Sequence, residues 1–190
     1  MSMKRFLAAI LVVTVMLSAV VFAWAAAAAT PRIRVMWVNH FALLPGNPDL
    51  TVTYASTSSG VGGGLTALVI RSATTGDTFP DPDYGNKVVQ MAVGVLPLWG
   101  VRVTGVRVCY ELTNSRSFIT QIRLAQVDST GTTAPVLLDD ITDQTATGPV
   151  CVNTTPAVRI DPNAGSLLLS LRLYYGNTGD KIAIRALGLI

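Results

Sequence analysis

The sequence predicts an all-β chain that folds as an antiparallel β-sandwich after an N-terminal signal helix. Beyond residue 29, large apolar residues alternate with polar ones in short runs, and Gly, Pro, Asn and Asp separate these runs. No run there places apolar residues at the i, i+3, i+4 spacing of an amphipathic helix over several turns. Because strands with one apolar and one polar face form antiparallel sheets, two such sheets packed together give a sandwich.

Residues 1–29 have the features of a signal peptide. Lys4 and Arg5 precede an apolar run from Phe6 to Phe22, and the small residues Ala25–Ala29 follow, as signal peptidase requires. The segment Phe6–Ala29 is also long enough to cross a bilayer, for which about 20 apolar residues suffice, so an uncleaved anchor is the alternative. The sequence therefore predicts a secreted or periplasmic protein, anchored in the membrane if the leader is retained.

The chain after the leader divides into two parts. Residues 30–64 hold a strand-like segment and a Gly/Ser-rich tether, and residues 65–190 form the regularly alternating body of the sandwich. About thirty residues are too few to form a core of their own. We therefore expect residues 30–64 to add one or two strands to the sandwich, or to reach a neighbouring molecule.

Strands are predicted where residues with high β-propensity are bounded by turn signals. Two of these strands, Ile33–Val38 and Leu50–Tyr54, precede the tether. In chain order, the strands of the body are Leu65–Arg71, Lys87–Leu96, Val101–Leu112, Phe118–Val127, Ala134–Asp139, Val150–Thr154, Ser166–Tyr175 and Lys181–Ile190.

The alternation also assigns faces to the strands. Every second residue of Leu167–Tyr175 is large and apolar, so that the residues between them, including Tyr174, point outward. Val106 begins another inner face, but Val103 has the opposite parity. We therefore expect a bulge at Gly105, which would shift the phase of the strand.

Cys109 and Cys151 are the only cysteines, and both fall on the predicted outer faces of their strands. In an exported protein an even pair of cysteines predicts a disulfide. Closing this loop would stabilise the fold by about 4 kcal/mol in the chain-entropy model. A redox-active pair would more often be spaced as Cys-x-x-Cys, which is absent.

Composition excludes several functions. One His and two Cys cannot form a zinc finger with four Cys/His ligands. His40 has no Ser or Cys nucleophile motif nearby, and Glu111, the only glutamate, falls on a polar face where a cross-strand Arg would pair with it. Two of the 14 basic residues, Lys4 and Arg5, belong to the leader and the others are scattered, which disfavours nucleic acid as a partner.

Several segments of the C-terminal half match a known structural type. They are the Leu96–Gly100 corner, the run Val103–Tyr110, the strands Ile122–Leu124 and Leu167–Tyr175, and the closing segment Asp180–Leu189. In these segments the chain resembles a recurrent kind of secreted bacterial β-sandwich of jelly-roll character. The resemblance covers about half of the chain and implies the fold and export. It implies no site, because such domains mostly lack an assigned activity.

A loop rich in Asp and Pro is the candidate metal site. Asp77, Asp81 and Asp83 offer three carboxylates, and calcium binds six to eight oxygen ligands. No bidentate Glu closes this loop as in an EF-hand, and Pro82 stiffens it, so an ordinary turn is the alternative. The sequence thus requires no cofactor but leaves calcium open.

Aromatic side chains on a polar face are candidate ligand contacts, because their rings stack on sugars. Tyr174 points outward from its strand, and Trp99 and Tyr84 lie in predicted loops. The alternative for Trp99 is that it closes one end of the sandwich beside Pro97 and Leu98.

Together these features predict an exported, non-enzymatic β-sandwich that acts as an extracellular binding or structural module. The alternative is a carbohydrate-binding module with a structural calcium ion. We expect a glycan or another surface protein as the partner. An unprotected sheet edge also predicts self-association.

Overall fold

The computed structural model describes residues 35–55, 66–81, 85–94, 102–155, 158–161 and 164–190, all within the unit Val35–Ile190. The predicted signal peptide and the predicted tether lie outside these ranges. Within them the chain forms strands and a single 3₁₀ turn, His40–Ala42. The strands are β1 (Met36–Val38), β2 (Leu44–Pro45), β3 (Leu50–Tyr54), β4 (Leu68–Ser72), β5 (Val88–Val93), β6 (Arg102–Val103), β7 (Val106–Leu112), β8 (Phe118–Asp128), β9 (Val136–Asp140), β10 (Val150–Asn153), β11 (Val158–Arg159), β12 (Gly165–Tyr174) and β13 (Ile182–Leu189).

The strands form two main antiparallel sheets, so the predicted all-β sandwich is confirmed. The six-stranded sheet has the order β10-β7-β13-β4-β3, with β1 also paired to β13. The five-stranded sheet has the order β2-β5-β12-β8-β9. A small third sheet pairs β11 with β6. In the described residues no helix is both long and apolar enough to span a membrane.

The core lies between the two main sheets. The odd-numbered residues from Leu167 to Tyr175 are fully buried, and so are Val106, Val108 and Tyr110 from the facing sheet. These are the inner faces that the alternation predicts, since successive side chains of a strand point to opposite sides.

The N-terminal strands, of which β1 and β3 are predicted, pair within the chain itself. β1 pairs with the end of β13, β3 pairs with β4, and β2 pairs with β5 in the other sheet. Residues 36–54 therefore contribute to both layers of the sandwich. Buried Leu43 and Leu50 join the common core.

Gly105 lies where the change of parity predicts a bulge, but the predicted strand Val101–Leu112 is instead divided there into β6 and β7, which belong to different sheets. β6 ends at Val103 and β7 begins at Val106, and both residues are buried in the core. A Cβ atom on Gly105 would lie 2.1 Å from the carbonyl oxygen of Thr154. The absence of a side chain thus permits the close approach of Thr154, whose Oγ1 accepts a 2.9 Å hydrogen bond from the backbone N–H of Val106.

The predicted disulfide is present. Cys109 and Cys151 face each other in the register of β7 and β10, and their sulfur atoms are bonded. The neighbours of Cys109 in β7, Val108 and Tyr110, belong to the core, so the bridge lies on the outer face of the six-stranded sheet. Cys151 is exposed there, whereas Cys109 is buried.

Candidate functional site

A groove of about 380 Å³ crosses the outer face of the five-stranded sheet. Most of its lining comes from β5, β12, β8 and β9, which are neighbours in the sheet but not all in the sequence. In β12 the odd-numbered residues face the core. The even-numbered Leu168, Ser170 and Arg172 therefore line the groove.

The strand register places the polar lining residues, together with Val88, in two rows across the sheet. The first row contains Val88, Arg172 and Gln121, and the second contains Gln90, Ser170 and Arg123. Asn86 extends the lining just before the start of β5. Amide and guanidinium groups therefore supply most of the hydrogen-bonding capacity of this part of the groove.

The other end of the groove is apolar. Leu168 on β12 lies opposite Ala125 on β8, which in turn lies opposite Val136 on β9. Ala134 completes this wall. Val136 is 48% exposed, which is high for a large apolar side chain within a strand. The groove thus offers hydrogen-bond donors at one end and an aliphatic surface at the other.

Arg123 is held in place from the edge of the sheet by Asp139. The guanidinium donates from Nη2 to Asp139 Oδ2 at 2.9 Å and from Nε to Oδ1 at 3.2 Å. Gln121 Nε2 donates to the same Oδ1 at 2.6 Å. These bonds, led by that from Arg123, lower the pKa of the Asp139 carboxyl. The bidentate contact fixes the plane of the guanidinium beside the groove.

Arg172 is held from the opposite side by Asp77. Its Nη2 atom lies 2.6 Å from Asp77 Oδ2. Its Nε atom is buried and has no hydrogen-bond partner among the described residues. Buried donors without a partner are uncommon in folded proteins.

Of the three aromatic candidates for ligand binding, Tyr174 is the one that the structure describes. Tyr174 points outward on the same face of β12 as Arg172 and stacks on Phe118, with ring centroids 5.1 Å apart. It lies beyond the Arg172 end of the groove and does not line it. Trp99 and Tyr84 fall outside the described residues, so their roles remain predictions.

The predicted calcium loop is only partly described. The carboxylate of Asp77 pairs with Arg172, Asp81 is exposed, and Asp83 lies outside the described ranges. Among the residues that the structure describes, no three His, Cys, Asp or Glu side chains come together in a way that could hold a metal ion. Calcium binding therefore remains a prediction.

A buried ammonium group lies next to this loop. Lys87 is fully buried, and its Nζ atom donates to the carbonyl oxygens of Thr74 at 2.6 Å and Thr75 at 2.9 Å. Burial lowers the pKa of Lys87, while the nearby charges of Asp49 and Asp77 oppose this shift.

The two residues considered as catalytic candidates, Glu111 and His40, do not line the groove. Glu111 pairs with Arg185 at 2.8 Å on the outer face of the six-stranded sheet, which confirms its interpretation as half of a cross-strand ion pair. His40 lies in the 3₁₀ turn, where burial lowers its pKa.

Sequence reasoning missed the groove itself. The alternation shows that Ser170 and Arg172 point outward, but not that β8 and β5 flank β12. The matching parity of Gln121 and Arg123 on β8 is the one signal that could have suggested a polar face shared by several strands.

Comparison with solved structures relates this fold to carbohydrate-binding β-sandwiches. One match is the structure of the CBM22-1 and GH10 modules of Clostridium thermocellum endo-1,4-β-D-xylanase 10B complexed with xylohexaose. Its TM-score is 0.50 at 11% identity, and the match covers 83% of this chain and 28% of that chain. The present chain thus matches a little over a quarter of that protein's length. At this identity the likeness concerns the fold.

Two isolated modules match over most of their own length. The C-terminal family 22 carbohydrate-binding module of the same Clostridium enzyme has a TM-score of 0.47 at 15% identity, covering 80% of this chain and 88% of that one. The CBM22-1 xylan-binding domain of Paenibacillus barcinonensis Xyn10C has a TM-score of 0.46 at 11% identity, with the same coverage of 80% and 88%. No protein-family model matches the sequence. A search of curated proteins gives no match either.

Proposed function

We propose that the chain is a non-enzymatic binding module and that the groove on the five-stranded sheet binds a carbohydrate. The observation that carries this proposal is that the lining of the groove is polar at one end and aliphatic at the other. Gln90, Gln121 and Arg123 present hydrogen-bond donors, and Leu168 and Val136 present aliphatic surface. A sugar offers hydroxyl groups at its edge and C–H groups on its face, so such a lining is complementary to it.

The ion pairs beside the groove support the same proposal. Because Asp139 holds Arg123 and Asp77 holds Arg172, both guanidinium groups are oriented before a ligand arrives. Orientation in advance reduces the entropy lost on binding. The same ion pairs keep both carboxylates engaged, which disfavours a hydrolytic role for Asp77 and Asp139. One structural neighbour holds xylohexaose, and this makes neutral oligosaccharides suitable first ligands.

Export and a structural calcium ion are further parts of this proposal. The signal-peptide features of residues 1–29 support an extracellular or periplasmic site of action. Calcium would bind in the loop from Asp77 to Asn86. If so, millimolar calcium raises the thermal midpoint of the purified protein and Asp81→Asn removes that increase. An unchanged midpoint in calcium and in chelator contradicts a structural calcium.

Self-association through a sheet edge also belongs to the proposal. The six-stranded sheet ends in β10 and β3, and the five-stranded sheet ends in β2 and β9. Exposed edges pair readily with another chain. Light scattering should therefore show a concentration-dependent dimer. A monomer at high micromolar concentration contradicts this part of the proposal.

The groove is tested by filling it. Ser170 lies in the second row of the lining, between Gln90 and Arg123, and is half-buried, so Ser170→Trp places a large ring where the ligand would lie. The matched control is Thr53→Trp, at an exposed position of β3 in the other sheet. A glycan array followed by titration calorimetry on the full chain should identify a ligand. Ser170→Trp should weaken its binding by about tenfold or more, and Thr53→Trp should not.

Two results would overturn the proposal. One is the absence of binding to any carbohydrate at millimolar concentration. The other is equal binding by the wild type and by a folded Ser170→Trp variant, because the ligand would then lie elsewhere. Thermal unfolding of both Trp variants shows whether each is folded.

A further inference from the structure

We infer that the groove selects an anionic carbohydrate whose acidic group lies between Arg123 and Arg172. This inference rests on the proposed function, because it concerns the same groove. It names the chemical class of the ligand: an oligosaccharide with carboxylate or sulfate groups on its rings, rather than a neutral one.

The first observation is the charge of the lining. Among the described residues that line the groove, Arg123 and Arg172 carry charge and no carboxylate does. Their partners, Asp139 on β9 and Asp77 in the loop before β5, lie outside the lining. The groove wall therefore presents two guanidinium groups to a ligand, while their two carboxylate partners lie beside the lining. Charge of one sign in a cleft favours ligands of the opposite sign.

The second observation is the relative position of the two arginines. On neighbouring strands, Ser170 is paired with Arg123, and Arg172 is paired with Gln121. Arg123 and Arg172 are thus diagonal neighbours on one face, and the backbone positions of such neighbours lie about 7–8 Å apart. Their guanidinium groups are paired on opposite sides of the sheet, with Asp139 on β9 and with Asp77 before β5. An acidic group on the lining between them is attracted by both guanidinium groups.

The third observation is the unused hydrogen-bonding capacity. The Nη2 atom of Arg172 makes the contact with Asp77. The contacts of Arg123 with Asp139 use its Nε and Nη2 atoms and do not involve Nη1. A carboxylate or sulfate accepts several charge-assisted hydrogen bonds at once, which a sugar hydroxyl does not. The two guanidinium groups therefore favour an acidic group over a neutral one.

The test compares ligands that differ only in charge. Oligogalacturonate carries carboxylates, its methyl ester is the same chain without charge, and a sulfated oligosaccharide carries the other acidic group. Titration calorimetry of the full chain should show about tenfold tighter binding of an acidic ligand than of the ester. The difference should shrink as salt is raised, because salt screens partly exposed charges. The two acidic ligands show which group the groove prefers.

Matched variants assign the effect to the two arginines. Arg123→Gln and Arg172→Gln should each weaken binding of the acidic ligand about tenfold while changing binding of the ester little. Arg185→Gln is the control, because Arg185 is also ion-paired but lies on the outer face of the other sheet. It should bind like the wild type. Thermal unfolding verifies that each variant is folded.

The outcomes separate this inference from the proposed function. If the wild type binds the ester or xylohexaose as tightly as the acidic ligands, the inference is overturned while carbohydrate binding stands. The same conclusion follows if either Gln variant weakens acidic and neutral ligands equally. If no oligosaccharide binds, the proposed function itself fails.

Discussion

The ammonium nitrogen of Lys87 lies 3.9 Å from the carboxylate of Asp49 at a site where the lysine side chain is fully buried. The same nitrogen donates to the carbonyl oxygens of Thr74 and Thr75, and the hydroxyl of Thr74 donates to Asp49. The ammonium group of Lys87, just before β5, therefore contacts both the turn before β3 and the loop after β4. Because β5 lines the groove, this junction positions part of the candidate site.

Lys87→Met should destabilise the protein strongly. Methionine fills a similar volume but leaves Asp49 and two carbonyl oxygens without their cation. Removing one partner of a buried ion pair costs about 3–5 kcal/mol. Urea unfolding followed by tryptophan fluorescence measures this change. Arg71→Met, at an exposed position of β4, should change the free energy of unfolding by less than about 0.5 kcal/mol. Equal effects of the two substitutions would contradict this role for Lys87.

Asp180 should make the fold sensitive to acid. Its carboxylate accepts hydrogen bonds from Arg116 Nε at 2.8 Å and Ser117 Oγ at 2.6 Å, and the bond from Arg116 contributes most to its lowered pKa. A carboxyl whose pKa is lower in the folded state stabilises the fold above its ordinary pKa of about 3.9. This stabilisation is lost as the pH falls through the lowered value.

Asp180→Asn is the corresponding test. We expect it to lower the free energy of unfolding at neutral pH by about 2 kcal/mol, the usual scale for a buried charge-assisted bond. The variant should also lose less stability than the wild type between pH 5 and pH 2. Asp143→Asn, in an exposed loop, is the control. Parallel pH profiles for the wild type and Asp180→Asn would contradict the prediction.

Gly105→Ala should be costly although it adds only one methyl group. The new Cβ atom would lie 2.1 Å from the Thr154 carbonyl oxygen, so β7 and the end of β10 must move apart. Overpacking of this kind costs about 1–3 kcal/mol. Gly94→Ala is the control, because a Cβ atom there meets nothing within 4 Å. Comparable unfolding midpoints for the two variants would show that the contact with Thr154 is unimportant.

The disulfide should contribute substantially to stability. Cys109 and Cys151 are 42 residues apart in the sequence, and closing such a loop stabilises a fold by about 4 kcal/mol in the chain-entropy model. The double variant Cys109→Ala/Cys151→Ala should therefore unfold at much lower denaturant concentration. Peptide mapping by mass spectrometry without reduction should find the two cysteines linked, and two free thiols in the purified protein would contradict the bridge.

The inner faces of the sandwich could be predicted because alternation is a local signal. The run from Leu167 to Tyr175 shows which side chains are buried without reference to any other strand. The strands Leu44–Pro45 and Val158–Arg159 escaped prediction because two residues are too few to show an alternation. The irregularity at Gly105 was predictable from the change of parity, although the division into two sheets and the close contact with Thr154 were not.

The candidate site could be predicted only in part, because it arises from the order of the strands in the sheet. The alternation predicts that the side chains of Arg172 and Arg123 point outward. Their adjacency, however, depends on the pairing of β12 with β8. The sequence suggests Asp77 as a possible metal ligand. In the structure its carboxylate pairs with Arg172, which is distant in the sequence. Long-range pairings of this kind leave no local pattern.

Nuclear magnetic resonance can show whether a carbohydrate binds in the groove. The isotope-labelled full chain is titrated with the tightest ligand from the glycan screen, and changes in backbone amide shifts are mapped. We predict that the largest changes fall on Gln90, Arg123 and Ser170 and that Arg107 and Thr53, on the outer face of the other sheet, do not change. Saturable changes confined to the six-stranded sheet, or no change with any carbohydrate, would contradict carbohydrate binding in the groove.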